Sequence, residues 1–309
     1  MAERKHAPRI IVLGDLVVDV VLAPQIGLLP GTDVPGRVML RQGGSGTTTA
    51  RWLGRSGARV ALVGAVGRDA AGRALVRAVR ADGVTPRVAI IPESPTGRVG
   101  VFVQPGGERS FVQDRGAALV LSPDHLRPRW FEDAELVHIP AYSLLGSPLG
   151  QAGARAAALA HGAGALVTVD LSSSGPLLAL GRAEAIATIR AARPDLIFAT
   201  GPEAGVIAAT EEALLEIAPV AVIKLGPRGA RILYRRRNAL HQLDVGASTI
   251  AAADTTGAGD AFDAGFIIGW LAGRRDGLAT ATTLRQAAAA GNRMAARHLR
   301  RPPQELGFE

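Results

Sequence analysis

Short runs of Val, Ile and Leu alternate along the chain with Ala-rich segments at helical spacing, and this alternation constrains the fold most. Continuous apolar runs indicate strands covered on both faces, and helices between them connect parallel strands. The predicted buried strands are residues 10–16, 60–64, 136–139, 165–170, 196–199 and 220–225. The predicted helices are residues 48–56, 71–81, 149–161, 182–190, 211–218, 258–272 and 278–299. The pattern predicts an α/β fold with a mostly parallel central sheet.

Two segments alternate with period two instead, which is typical of half-exposed antiparallel strands. They are residues 34–40 and residues 99–112, the latter interrupted by the turn residues Gly106 and Gly107. We expect them to form a small β flap, or lid, with strands from about 34–41 and 97–115. Since the sequence shows no repeat and no linker, it predicts a single domain over residues 1–309.

Composition excludes several classes of protein. The absence of cysteine rules out disulfides, thiolate metal sites and a cysteine nucleophile. Charged residues make up 20% of the chain and interrupt every apolar run, and the first residues are polar. We therefore expect no membrane span, no signal peptide and a cytoplasmic location. The net charge of +8 comes from scattered arginines, and aromatics make up only 4%, so we predict no nucleic-acid partner.

The segment Asp254-Thr-Thr-Gly-Ala-Gly-Asp260 precedes an apolar, helix-like run. Gly257 and Gly259 allow the backbone to approach a ligand, and the free amides at a helix start bind anions such as phosphate. The negative charge of Asp260 would repel a phosphate. Its position is chemically useful if the carboxylate takes a proton from an incoming hydroxyl. The alternative is a tight turn in which Asp260 caps the helix.

Further candidates follow the first predicted strand and the flap. Asp15 and Asp19 lie at a strand exit, the edge where α/β sheets bind ligands. Neither a Gly-x-x-x-x-Gly-Lys-Ser/Thr loop nor a Gly-x-Gly-x-x-Gly motif after the first strand is present, which argues against P-loop kinases and dinucleotide oxidoreductases. The six histidines show no metal-binding spacing.

Residues 254–262 resemble the C-terminal signature of the ribokinase-like (PfkB) carbohydrate kinases, and the other motifs follow in that family's order. The resemblance implies a three-layer sandwich with a lid. It also implies that Asp260 is the catalytic base and that the amides of Gly257, Ala258 and Gly259 form an anion hole. Residues 42–46, Gln-Gly-Gly-Ser-Gly, are similar to the N-terminal signature. The implied acceptor-binding residues are Asp15, Asp19, Gly43, Gly44, Thr48 and Arg115.

The nucleotide side rests on the same resemblance. Lys224-Leu-Gly226-Pro-Arg-Gly229 is similar to the family's nucleotide turn, and Asn292 occupies the place of an adenine-side Asn. The implied metal residues are Glu203, which would bind Mg²⁺ through water, and Asp254, in a monovalent-cation loop. Thr48 and Thr200 stand where the family has Asn. The first change obscures the substrate, and the second raises the prospect of altered catalysis.

We therefore expect a kinase that uses ATP and Mg²⁺, with K⁺ as an optional further ion, to phosphorylate a hydroxyl of a sugar or sugar acid. Two alternatives stay open: a nucleoside kinase of the same family, and a catalytically weakened relative that only binds ligand. The alternating flap strands are also consistent with a homodimer formed through the lid.

Overall fold

The computed structural model describes residues 7–106, 108–237, 239–250, 254–274, 280–301 and 304–308. Its strands in chain order are β1 Arg9–Leu13, β2 Val17–Pro24, β3 Gly36–Gly43, β4 Arg59–Gly67, β5 Val84–Ile91, β6 Thr96–Val103, β7 Arg109–Gly116, β8 Leu136–Pro140, β9 Leu166–Asp170, β10 Leu196–Thr200, β11 Val220–Lys224, β12 Ala230–Arg236 and β13 Ala239–Val245. Its α-helices are α1 Ser45–Arg55, α2 Ala70–Ala81, α3 Leu149–Gly162, α4 Ser174–Leu180, α5 Arg182–Ala191, α6 Gly201–Ile207, α7 Ala258–Gly273 and α8 Ala281–Leu299.

Nine strands form one large sheet in the order β13-β12-β11-β10-β9-β8-β1-β4-β5. All pairs from β11 to β5 are parallel, and only β12 and β13 join in antiparallel fashion. Two apolar cores lie on its two faces, one around α3 and the other around α1 and α7. The α/β fold with a mostly parallel sheet between helical layers is confirmed.

A second sheet of four strands has the order β3-β2-β6-β7. It contains the two segments predicted as a flap, together with β2, which the sequence did not indicate. The predicted strand 10–16 was wrong in its extent, because β1 ends at Leu13 and β2 begins at Val17. Gly14 allows this change of sheet, since a Cβ there would lie 2.7 Å from the Cα of Gly46.

Three other differences concern element type. The predicted helix 211–218 is a 3₁₀ helix over Glu211–Glu216. The strands β5, β12 and β13 were not predicted, because their apolar runs are short and polar residues interrupt them. The short helices α4 and α6 were missed as well. Among the described residues, no helix is both long and apolar enough to span a bilayer.

Candidate active site

A cavity of about 1070 Å³ lies between the carboxyl ends of the parallel strands and the inner face of the small sheet. Asp170, Thr200 and Lys224 enter it from the last residues of β9, β10 and β11. Asp19 and Arg41 enter from the small sheet, where they lie opposite each other on β2 and β3. This is the edge of an α/β sheet at which ligands are expected.

Asp260 lies in the first turn of α7 and lines the cavity. Its Oδ1 accepts a 2.6 Å hydrogen bond from the Ser45 hydroxyl, which comes from the first turn of α1. Burial raises the pKa of Asp260 to about 7, although the bond from Ser45 lowers it. A carboxyl group with this pKa exchanges protons near neutral pH, as a general base must.

The Gly-rich turn before α7 has the conformation that its glycines permit. Gly257 has φ of 80°, in the left-handed region, and precedes the helix directly. A Cβ on Gly257 would lie 3.1 Å from His298 and 3.2 Å from Thr48. The Ala258 amide donates to the Thr255 carbonyl over 3.2 Å, so this predicted anion-hole donor already has an acceptor. Gly257 and Gly259 line the cavity, and Ala258 does not.

His298 on α8 packs against this turn and forms a hydrogen bond with it. Its Nε2 donates to the Thr256 carbonyl over 2.7 Å, and its Nδ1 accepts from the Trp52 indole over 3.1 Å. Both partners suit one neutral tautomer only, because a carbonyl accepts and an indole N–H donates. Burial lowers the pKa of His298, which favours the same neutral form. His298 was not among the residues predicted from the sequence.

Asp15 and Arg115 form a buried ion pair of 2.7 Å at the base of the small sheet. The Arg115 guanidinium also lies 4.0 Å from the centre of the Tyr142 ring. Asp15 and Arg115, both predicted to bind the phosphoryl acceptor, therefore lie together. Oδ1 of Asp15 has no hydrogen-bond donor among the described residues.

Asp19 faces the cavity from β2. Burial, together with the nearby charge of Asp15, raises the pKa of Asp19 to about 7. Gly43 does not line the cavity. It lies against the Asp19 side chain, and a Cβ on Gly43 would overlap Oδ1 of Asp19. Gly44 does line the cavity, with φ of 98°. Gly43 thus leaves room for the Asp19 carboxylate, and Gly44 makes the turn.

Thr48 also lines the cavity, but its hydroxyl donates to the Gly44 carbonyl over 2.9 Å within α1. It can therefore offer a ligand only the lone pairs of its oxygen, whereas an Asn side chain would also donate.

Lys224 lies among carboxylates at the floor of the cavity. Its Nζ donates to Asp170 over 2.8 Å and to Asp263 over 3.1 Å. Burial alone would lower the pKa of Lys224, but Asp170 and Asp263 raise it well above its ordinary value. The lysine is therefore charged and is held by hydrogen bonds to two buried carboxyl groups.

Glu203 and Thr200 form a capping box at the start of α6. Glu203 Oε2 accepts from the Thr200 amide over 2.7 Å, and the Thr200 hydroxyl accepts from the Glu203 amide over 3.4 Å. Burial, and then the nearby carboxylate of Asp170, raise the pKa of Glu203. Thr at the position of the family Asn thus retains a cap for this helix.

Asp254 is paired with two arginines of the small sheet. Arg41 on β3 lies 2.6 Å from one oxygen, and Arg109 on β7 lies 3.0 Å from the other. Burial opposes ionisation of Asp254, but the Thr256 amide and the Arg41 guanidinium outweigh it and lower its pKa. The place predicted for a monovalent cation thus already has two guanidinium groups.

Three predicted nucleotide-side residues lie outside the cavity lining but close to one another. Gly226 and Gly229 have φ of 59° and 92° in the turn between β11 and β12. Asn292 donates to the Val245 and Gly246 carbonyls over 3.3 and 3.1 Å, and a Cβ on Gly229 would overlap the same Val245 carbonyl. Gly229 and Asn292 therefore meet at the end of β13, and Gly226 lies in the same turn as Gly229.

Sequence reasoning missed several residues that complete the site. They are Ser45, Asp170, Asp263, Arg41, Arg109 and His298. Asp170 carried a usable signal, since it is the last residue of the predicted buried strand 165–170, at the edge where α/β sheets bind ligands. The partners of the others come from distant parts of the chain, such as Ser45 and Asp260, which are 215 residues apart.

Known proteins are similar to this chain over most of its length. The family model described as "pfkB family carbohydrate kinase" matches residues 7–302. A fructokinase from Solanum tuberosum is 26% identical over 260 residues, covering 82% of this chain and 78% of that protein.

Two solved structures are similar over nearly the whole chain. The adenosine kinase from Sinorhizobium meliloti has a TM-score of 0.82 at 25% identity, covering 97% of both chains. A candidate ribokinase II from E. coli, solved in complex with ATP and Mg²⁺, has a TM-score of 0.76 at 22% identity and covers 96% of this chain and 94% of that one. With a family model matching nearly its full length, the chain belongs to the pfkB family of carbohydrate kinases.

Proposed function

We propose that this kinase transfers the γ-phosphoryl group of ATP to a hydroxyl of a sugar or sugar acid, with Asp260 as general base. The observation that carries the proposal is the position of Asp260. Its carboxyl group lines the cavity at a helix N-terminus, and its pKa is raised to about 7.

In the proposed step, Asp260 accepts the proton of the acceptor hydroxyl while that oxygen attacks the γ-phosphorus. The bond from this phosphorus to the β,γ-bridging oxygen breaks, and ADP leaves with that oxygen. Charge on the transferred group would be stabilised by amides of the 257–259 turn at the positive end of α7. Because the Ala258 amide already donates to Thr255, we assign this role chiefly to Gly257 and Gly259.

We propose that the acceptor lies between the small sheet and Asp260. Asp19 and the unpaired oxygen of Asp15 offer acceptors to sugar hydroxyls, and Arg115 offers donors. Gly44 would let the sugar rest against the backbone, and Thr48 would accept one further hydrogen bond. A carboxylate on the acceptor would favour a site next to Arg115.

For ATP, we propose that the nucleoside lies near Gly226, Gly229 and Asn292 and that its phosphates extend toward Gly257. Supporting this, a structural neighbour was solved with ATP and Mg²⁺. Bound Mg²⁺ would neutralise part of the negative charge on the phosphates. The residues fit a water-mediated Mg²⁺, because the carboxyl groups of Glu203 and Asp170 both line the cavity and Mg²⁺ binds oxygen ligands while keeping several waters.

We further propose that residues 1–309 form one kinase domain whose small sheet acts as the lid. Closure would exclude water, which competes as a phosphoryl acceptor. The outer face of this sheet exposes four apolar side chains: Leu22, Leu40, Val38 and Val112. Val38 is 68% exposed and Val112 is 77% exposed. Such a face favours a homodimer through the lids, which light scattering of Val112→Lys against the unchanged chain would test.

The test of the proposed function is ADP formation from ATP and Mg²⁺ across pentoses, hexoses, sugar acids and nucleosides. Asp260→Asn is the matched blank. Acceptor-dependent ADP that is lost in the variant supports the proposal, and a response to nucleosides alone assigns a nucleoside kinase. ATP binding with no turnover on any acceptor would instead favour the ligand-binding relative.

A further inference from the structure

A second cavity, of about 480 Å³, lies at the opposite edge of the large sheet. It is bounded by the start of β11 at Val220 and by the end of β12, whereas Lys224 at the other end of β11 belongs to the active site. The last turn of α7 contributes Trp270, and Arg274 follows the helix directly. Since α7 has 16 residues, this cavity lies about 24 Å from the start of the helix.

Four arginines line this cavity: Arg235, Arg236, Arg237 and Arg274. Within the described ranges, none of the four has a carboxylate at ion-pair distance. Arg231 on β12, by contrast, pairs with Glu211 and Asp244. Asp195 is the one acidic residue among the lining residues described, and its carboxylate accepts from the Val167 amide over 2.8 Å. The cavity therefore has a large excess of positive charge.

Trp270 gives a second, independent observation. Its side chain is only 2% exposed, and its indole N–H has no acceptor among the described residues, although it lines this cavity. A buried N–H without an acceptor is unfavourable, so a ligand oxygen would stabilise it. The Arg274 guanidinium lies 5.1 Å from the centre of the same indole, which places a charged donor beside the neutral one.

We infer that this cavity is a binding site for a small phosphate-bearing anion, separate from the active site. Guanidinium groups bind phosphate through paired hydrogen bonds, and the indole N–H would add one more. The negative end of the α7 dipole amounts to about half a charge, which four full positive charges outweigh. The volume fits a molecule the size of a mononucleotide rather than a polymer.

The test is isothermal titration calorimetry with tripolyphosphate, which has phosphates but no base. The test variant is Arg236→Glu with Arg274→Glu. The matched control is Arg73→Glu with Arg80→Glu, two exposed arginines of α2, which gives the same change in net charge. We expect the unchanged chain and the control to hold one more tripolyphosphate than the test variant, or to bind it at least tenfold more tightly at that site.

Two further measurements make the result decisive. Binding at this site should change the emission of Trp270, a signal that Trp270→Phe removes while ADP formation persists. Arg236→Gln with Arg274→Gln replaces the test variant if charge reversal prevents folding. Titration with ATP then shows whether a nucleoside adds affinity to the phosphates.

Equal stoichiometry and affinity in the unchanged chain, test variant and control would overturn the inference. So would an equal loss of binding in both charge-reversed variants, or binding at these arginines of a DNA oligonucleotide but not of tripolyphosphate. None of these results bears on Asp260, so the proposed kinase activity stands or falls separately.

Discussion

The Ser45 hydroxyl donates to the Asp260 carboxylate over 2.6 Å and so joins the first turns of α1 and α7. This bond lowers the pKa of Asp260, which burial otherwise raises. We expect Ser45→Ala to raise that pKa and to move the acidic limb of the kcat/KM profile above pH 7. Ser45→Thr, which keeps a hydroxyl, should restore the original profile. A uniform loss of rate without this movement would assign Ser45 a purely structural role.

The raised pKa of Asp260 also affects stability. From pH 4 to about 7 the folded chain holds a proton on Asp260 that the unfolded chain has released, so the stability from this group falls as pH rises through 7. Asp260→Asn has no carboxyl group to ionise at this position and should therefore not lose this stability above pH 7. We expect the variant to be more stable than the unchanged chain at pH 8.5, by at least about 1.4 kcal/mol, the free energy of one pKa unit. Thermal melts should show a smaller difference at pH 5, and a difference independent of pH would contradict the assignment.

Gly43 leaves the space that the Asp19 carboxylate occupies. Gly43→Ala should displace Asp19, raise KM for the acceptor at least tenfold and leave KM for ATP nearly unchanged. The matched control is Gly205→Ala in α6, where an added Cβ meets no atom within 4 Å. Equal acceptor KM values in both variants would show that Asp19 does not bind the acceptor.

Lys224 carries the buried charges of Asp170 and Asp263. Its replacement by Met leaves both carboxylates without a counter-charge, and removing one partner of a buried pair costs about 3–5 kcal/mol. Urea denaturation should show a loss of this size. Adding Asp263→Asn to Lys224→Met should recover part of it, and full stability of the single variant would contradict this account.

Asp254 already has a guanidinium group at each oxygen. We therefore expect the rate of ADP formation to be the same in KCl, NaCl and choline chloride at equal ionic strength. Activation by K⁺ alone would instead support the monovalent-cation loop implied by the family resemblance. Asp254→Asn, assayed in the same salts, serves as the control for direct binding to this carboxylate.

Local patterns were sufficient to predict the large sheet, because each buried strand is a continuous apolar run between Gly, Pro or Arg. They were not sufficient for β5, β12 and β13, whose apolar runs are short and interrupted by polar residues. The glycines before α7 pointed to Asp260, whereas Asp19 lies within β2 and not at the exit of the first strand, as the sequence had predicted. Ser45 and His298 could not, because their roles depend on packing between α1, α7 and α8 that no local pattern encodes. For Asn292 the sequence indicated a residue beside adenine, but it could not show that the side-chain amide donates to the carbonyls of residues 245 and 246.

Arg41 and Arg109 belong to β3 and β7, the two outer strands of the small sheet, yet both contact one carboxylate. In a flat sheet these strands are three spacings, or about 14 Å, apart. Because both outer strands contact the same carboxylate, the small sheet cannot rotate about one margin without breaking the ion pair at the other margin. Opening of the small sheet would therefore break both ion pairs with Asp254, and its rate should increase with ionic strength.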